Sequence, residues 1–249
     1  MAHYAARHWP NHYRFGDVSS YVKDAIRCLF DIDKPHFAIW INLMFEPYFG
    51  RDIPLYYVSY LGFYDVAEHI IAQHPEQVDA KGRCNRTPLH AAAMEGHIDT
   101  LSLLLKHGAD VEARDVMDHT PLHHASASPR GNLEAGRRLL DHGADINPRG
   151  FRNLTPVCAA VVKGHVEFAR MLLERGAAMD IRAEMDAGRT PLTEAVYSRK
   201  IQMVRLLLEY GEDVNERDGL GRTPSQWASI DKQQDIVELL SEYGAESVE

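Results

Sequence analysis

Thr87-Pro88-Leu89-His90-Ala91-Ala92-Ala93, followed by Leu103-Leu104-Leu105 and then Gly108, is the stretch that decides the fold. Thr87 is suited to cap a helix, because its hydroxyl can accept from an orphan backbone N–H of the first turn. Pro88 fits the first helical position, where its fixed φ is already helical and its missing N–H costs nothing. Leu89, Ala92 and Ala93 then share one apolar stripe, and the alanines permit close approach of a neighbouring helix. A second helix, Thr100 to His107, follows and ends at Gly108, the residue that most readily takes the left-handed cap.

The same signature recurs at a spacing of 33 to 35 residues. Its further copies are Thr120-Pro121-Leu122-His123, Thr155-Pro156-Val157-Cys158, Thr190-Pro191-Leu192-Thr193 and Thr223-Pro224-Ser225-Gln226, with a weaker first copy at Ile53-Pro54-Leu55-Tyr56. Second helices are expected at Leu133 to His142, Glu167 to Arg175, Met203 to Tyr210 and Ile236 to Tyr243, closed by Gly143, Gly176, Gly211 and Gly244. The weak copy has His74-Pro75 in place of the glycine. Two residues before each threonine stands Asn85, Asp118, Asn153, Gly188 or Gly221, types that tolerate positive φ in a tight turn. A period of this length means stacked supersecondary units rather than one closed core.

Helix, turn, helix, turn with these residues resembles the ankyrin repeat over roughly residues 52 to 246. The resemblance implies an all-α solenoid of six helix-turn-helix repeats, approximately 52–82, 83–115, 116–150, 151–185, 186–218 and 219–249, within a repeat domain of residues 51–249. It further implies protein–protein recognition through a concave face made of hairpin tips and the solvent side of the first helices. Carried residue by residue, that face comprises Arg83, Arg86, Met94 and Glu95, then Val116, Met117 and His119. Phe151, Arg152, Leu154 and Lys163 follow, and Met185, Arg189, Tyr197, Leu220 and Arg222 complete it. Apolar tips such as Met117, Phe151, Met185 and Leu220 carry more weight than the charges, because interface cores favour aromatics and methionine.

Two copies depart from the spacing. The second full copy has two extra residues around Ser128-Pro129-Arg130, and the fourth anchor is delayed through Arg182 to Ala187. Insertions in a repeat array map to loops, where binding specificity often resides.

Residues 1–50 fall outside the period. Val18, Tyr21, Val22, Ala25, Ile26, Leu29 and Phe30 line one face of an amphipathic helix. A second helix is expected at Phe37 to Met44 and a short one at His3 to Trp9. The simplest role is a helical cap over the apolar end of the stack. Tyr4 to His12 and Asp33 to Trp40 resemble the segment that joins a NACHT NTPase region to C-terminal ankyrin repeats in fungal NOD-like receptor proteins. That likeness implies a ligand-sensing array downstream of an NTPase. No Gly-x-x-x-x-Gly-Lys-Ser/Thr phosphate loop occurs in the chain, so the expectation is the sensor end alone. A third reading, a substrate adaptor for an enzyme complex, would need a docking box outside the repeats, and residues 1–50 show none that is recognisable.

Composition narrows the classes. A 25% charged and 45% hydrophobic chain is ordinary for a folded protein, and its net charge of −9 lacks a basic run that would mark nucleic-acid binding. The three cysteines, Cys28, Cys84 and Cys158, are odd in number and far apart, which argues against a disulfide framework. No apolar stretch reaches membrane-spanning length, and no signal peptide opens the chain. The expected compartment is the cytosol, nothing in the sequence bars the nucleus, and the chain is read as a monomer with no membrane partner.

Fourteen histidines invite metal chemistry, but their positions belong to the repeat. His90 and His123 end anchors, His97 and His165 follow the inter-helix glycine, and His107 and His142 precede the cap glycine. His123 and His124, adjacent on a helix, are not expected to face the same way. No Cys-x-x-Cys or His-Glu-x-x-His spacing and no Gly-x-Ser-x-Gly elbow is present. Neither a metal, a cofactor nor an enzymatic activity is therefore expected. The sequons at Asn85 and Asn153 coincide with the turn-asparagine and capping-threonine slots and carry no further meaning.

Overall fold

The computed structural model describes residues 53–129, 131–179 and 188–246, and these hold twelve α-helices and no strand. They form six pairs: α1 (Pro54–Leu61) with α2 (Tyr64–Gln73), α3 (Pro88–Glu95) with α4 (Ile98–Lys106), and α5 (Pro121–Ala127) with α6 (Leu133–Asp141). The remaining pairs are α7 (Pro156–Lys163) with α8 (Val166–Glu174), α9 (Pro191–Tyr197) with α10 (Ile201–Glu209), and α11 (Pro224–Ile230) with α12 (Gln234–Glu242). This is the all-helical repeat architecture expected from the period. The helices expected at residues 3–9, 18–30 and 37–44, and the second insertion with Met185, lie outside the described residues.

The chain forms two compact units, residues 1–116 and 117–249. In the first, α1 lies on α3 and α2 on α4. In the second, the first helices α5, α7, α9 and α11 touch in succession, and so do the second helices α6, α8, α10 and α12. The contacts are close because the first helices bury small residues: Ala91 to Ala93, Ala159, Ala160 and Ala195 are all enclosed. Leu104, Leu139, Leu172, Leu207 and Leu240, one in each of the last five repeats, fill the same buried slot of the second helices, which Ile70 takes in the first.

Local capping follows the anchor residues. Thr155, Thr190 and Thr223 accept from the backbone N–H three residues on, at 3.4, 3.2 and 3.3 Å. Where histidine ends the anchor it closes a reciprocal cap. Nδ1 of His90 accepts from the Thr87 N–H at 3.1 Å, and Nδ1 of His123 accepts from the Thr120 N–H at 3.0 Å. An accepting Nδ1 places the ring proton of His123 on Nε2, which donates to the Leu154 carbonyl of the next repeat at 2.9 Å. Gln226 reproduces the cap in the last repeat, its Oε1 accepting from the Thr223 N–H at 3.0 Å. Replacing His123 by alanine strands a buried donor and a buried acceptor, and is expected to lower stability by about 1–3 kcal/mol. His123→Gln, which borrows the Gln226 solution, should recover part of that loss in a urea titration. Equal losses in both variants would mean that the cap contributes nothing.

Four second helices start one or two residues before the expected positions, at Ile98, Val166, Ile201 and Gln234. The half-buried Ile98, Val166 and Ile201 already belong to the packed stripe, so the helix extends to include them.

The residue just before these helices acts between repeats, a role that sequence spacing does not reveal. The imidazole Nε2 of His97 lies 3.0 Å from the Tyr60 carbonyl, and that of His165 lies 2.7 Å from the Ser128 carbonyl. Lys200 fills the same slot, its ammonium donating to the Val161 carbonyl at 3.1 Å and to that of Val162. Each thus caps the C-terminal end of the preceding repeat's first helix, which satisfies carbonyls that no intrahelical N–H can reach. Burial pulls the Lys200 ammonium below the ordinary lysine range, with Glu194 opposing and Lys163 assisting. Gly62 and Gly131 lie directly against the His97 and His165 rings, so a β-carbon at either would collide with an imidazole. In the second full copy the extra residues end α5 at an extended Ser128, and His165 follows the displaced carbonyl.

A second ladder joins the loops behind the second helices. Asp79, Asn147 and Asn215 accept from the backbone N–H groups of Asp110, Ala178 and Glu246, each at 2.9 Å.

Candidate functional site

The hairpin before each first helix turns through residues in the left-handed region. Asn85, Asp118, Asn153, Gly188 and Gly221 all have positive φ, as the turn pattern requires. Cys84 and Arg152 join them at 54° and 56°, which residue type alone did not announce. Neighbouring tips are tied by backbone bonds: Val116 N–H to Cys84 carbonyl at 3.0 Å in the first unit, and Phe151 N–H to Met117 carbonyl at 2.8 Å in the second. Gly219 N–H donates to the Gly188 carbonyl at 3.0 Å in the same way. This main-chain spacing holds the tips in fixed register while leaving their side chains free to vary.

Exposed apolar side chains concentrate there. Val116 is 61% exposed, Leu220 58%, Phe151 52%, Tyr197 45% and Met117 41%. Val162 and Ile230, on the exposed ends of α7 and α11, belong to the same set. Among the described residues, only Tyr64 and Tyr243 are comparably exposed large apolar residues elsewhere, both at ends of second helices. Arg83, Glu95, Arg152 and Lys163 are exposed, and Met94 is half-buried.

Other expected face residues are engaged in packing. Arg86 reaches the fully buried Asp115 at 3.4 Å and ties successive hairpins in the first unit. His119 is half-buried, turned under the next hairpin against Gly150, and stacked on His123 with ring centroids 5.0 Å apart. The edge of its ring also meets His124 at 6.0 Å. The adjacent pair His123 and His124 therefore converges on one neighbour after all, because His119 occupies the wedge between the two helical directions. Leu154 is half-buried, and its carbonyl is taken by His123. Cys158, in the histidine slot of the third anchor, is fully buried.

One cluster on this side of the second unit combines four of the face's elements. The guanidinium carbon of Arg189 sits 3.6 Å from the Tyr197 ring centroid and 5.6 Å from that of Trp227. Tyr197 meets Trp227 edge-on at 5.5 Å, and Arg222 covers the other part of the indole at 4.6 Å. Glu194 pairs with Arg189 at 2.9 Å and is itself held by the Ser198 hydroxyl at 2.9 Å. The Trp227 indole N–H donates to Asp218 at 2.7 Å, and Asp218 also accepts from the N–H groups of Leu220 and Arg222. Burial pushes the Asp218 carboxyl up, but those three hydrogen bonds, with the Arg222 charge, outweigh it and hold the group below the usual carboxylate range. Trp227 carries no signal in the anchor motif; it stands four residues after the capping threonine, where other repeats have Ala91, His124, Ala159 or Glu194, and the variability of that slot is the cue that could have exposed the cluster.

Paired helices stacked in each unit, with hairpin tips joined by backbone hydrogen bonds, define a protein of the helical-repeat class. The family description "Ankyrin repeats (3 copies)" matches residues 55–150 and 159–248, and the chain belongs to the ankyrin repeat family. It is similar to the potassium channel AKT2/3 of Arabidopsis thaliana, 35% identical over 140 residues, 56% of this chain and 16% of that protein. The B-cell lymphoma 3 protein homolog of Mus musculus is 33% identical over 143 residues, 56% of this chain and 31% of that protein. Alpha-latrocrustotoxin-Lt1a of Latrodectus tredecimguttatus is 35% identical over 88 residues, 35% of this chain and 6% of the toxin. The chain thus spans less than a third of the length of each of these relatives. Among the described residues no helix is long and apolar enough to cross a membrane.

Proposed function

We propose that this chain is a non-catalytic protein-recognition module that binds a partner protein through its hairpin tips and the exposed side of its first helices. The reading is carried by the concentration of exposed apolar residues there: Met117, Phe151, Tyr197 and Leu220, with Val116, Val162 and Ile230, make up all but Tyr64 and Tyr243 of the exposed large apolar residues among the described residues. Such residues raise no stability where they are, and an interface core is the setting in which their burial would be favourable. Ankyrin repeats generally serve protein–protein interaction, and the proposal assigns no cofactor, metal or membrane role.

The test is affinity capture by the full chain compared with a variant carrying Met117→Ala, Phe151→Ala and Tyr197→Ala. Partners retained by the native chain are expected to be lost from the variant, while its helical circular dichroism and melting temperature stay close to native. An unchanged set of captured proteins would rule out this face.

A finer reading makes the module the ligand-sensing part of a NACHT-type receptor. It rests on Tyr4 to His12 and Asp33 to Trp40, which lie outside the described residues and before the family match. Transcript sequencing that joins this reading frame to an upstream NTPase would support it, and a transcript beginning at Met1 would count against it.

A further inference from the structure

We infer that the Arg189–Tyr197–Trp227–Arg222 cluster is a docking site for a partner segment that presents a carboxylate next to an apolar side chain. This rests on the recognition-face reading above and gives that face a chemical preference.

Charge distribution is the first argument. The chain as a whole carries a net charge of −9, yet the tips and first helices of the second unit expose unpaired cations. Arg152, Lys163 and Arg222 form no ion pair among the described residues; the exposed Arg137 and Arg205 on second helices form none either, so what singles out Arg222 is its place over the indole of Trp227 beside Tyr197. The carboxylates nearest the cluster are already committed. Glu194 neutralises Arg189, and Asp218 is buried and receives three hydrogen bonds. Asp118 stands at another tip and Asp231 at the far end of α11. Among the described residues Asp218 is the carboxylate that Arg222 stabilises, and it is occupied by the Leu220, Arg222 and Trp227 N–H groups, so the Arg222 guanidinium, which forms no ion pair there, keeps its own donors for an incoming carboxylate.

Pre-organisation is the second argument. Glu194, itself held by Ser198, fixes the Arg189 guanidinium, Asp218 fixes the indole, and the aromatic pair supplies the faces on which Arg189 (both rings) and Arg222 (the indole) lie. A guanidinium stacked on an aromatic face keeps its in-plane N–H donors available for a carboxylate, and little side-chain freedom remains to be lost on binding. The Tyr197 ring and Leu220 supply an apolar wall on the same unit, both about half exposed. The geometry suits one acidic residue with a leucine or aromatic neighbour, which is why basic, uncharged or purely apolar segments are expected to bind worse.

The experiment selects random 12-residue peptides displayed on phage against the full chain, then measures one enriched peptide by fluorescence polarisation. Enriched peptides are expected to carry Asp or Glu adjacent to Leu, Ile, Phe or Tyr. Affinity should fall about tenfold or more in Arg222→Glu, fall less in Arg222→Gln, and weaken as salt rises. Thermal melts of both variants must match the native chain, and Tyr197→Ala serves as a second variant that leaves the charges in place. Enrichment of basic or uncharged peptides, an affinity within twofold of native in Arg222→Glu, or no enrichment at all would overturn the inference. If the captured partners still depend on Met117, Phe151 and Tyr197 in any of those cases, the recognition-face reading survives while this one fails.

Discussion

Replacing Leu104 by alanine is expected to destabilise the first unit by about 2–5 kcal/mol, while Met117→Ala changes stability by less than about 0.5 kcal/mol. Leu104 is fully buried in α4, which packs on both α2 and α3. Truncation removes its transfer free energy and also leaves a cavity that flanking helices cannot close, because their spacing is held by backbone and capping bonds. Met117 is 41% exposed at a hairpin tip, and its contribution to the tip ladder is a backbone carbonyl that alanine retains. Urea unfolding of the two variants provides the comparison. A loss at Met117 as large as that at Leu104 would show that the tip is part of the core and would remove the basis for the binding face.

Raising the pH from about 5 to 8 is expected to cost the second unit on the order of several kcal/mol through a single carboxyl group, Glu212. The glycine that closes each second helix is followed by Ala109, Ala144, Ala177 and Ala245 in four repeats, and by Glu212 in the fifth. In all five the backbone N–H returns to a carbonyl of the preceding helix at 3.0 or 3.1 Å, so Glu212 is held in a slot shaped for a methyl group. Its Oε2 is buried and has no hydrogen-bond partner, in a depression lined by Met179, Thr190, Pro191, Asp213 and Glu216. Burial pushes the carboxyl up to about 8, the Glu216 and Asp213 charges add to the rise, and a hydrogen bond from the Leu192 backbone opposes it.

The sign follows from proton binding. Between its ordinary value of 4.5 and about 8, the folded chain holds a proton that the unfolded chain has released. Stability from this group is therefore complete below about 4.5 and lost as pH rises through about 8. Glu212→Gln and Glu212→Ala should flatten that dependence and melt higher than the native chain at pH 9, with little difference at pH 5. Superimposable melting curves across the range would show that Glu212 is ionised in the fold.

Most of the framework is legible in the sequence. Thr-Pro anchors, cap glycines and turn residues act within about four residues of themselves, so their geometry is a local property that one copy already displays. Asn85, Asp118 and Asn153 have the positive φ that their types suggested, and every second helix that the leucine runs announced is present. Less was legible at the recognition face. His119 and Arg86 look like free tip residues in sequence, yet one is folded under a hairpin and the other binds a buried aspartate. The caps supplied by His97, His165 and Lys200 to helices 37 to 39 residues earlier were not visible, since nothing in the local sequence names the partner carbonyl.

Sequence by itself determined that this protein is built of ankyrin repeats and, to within a residue or two, where the second helices of the last five repeats begin and end. Those outcomes depend on short-range backbone sterics and on which face of a helix is apolar. Only the tertiary structure decided which tip residues are exposed, that Arg222 covers the Trp227 indole and forms no ion pair among the described residues, and that Glu212 is trapped in an alanine slot. Each of these is a balance of burial and charge between repeats about thirty residues apart, set by the register of their stacking.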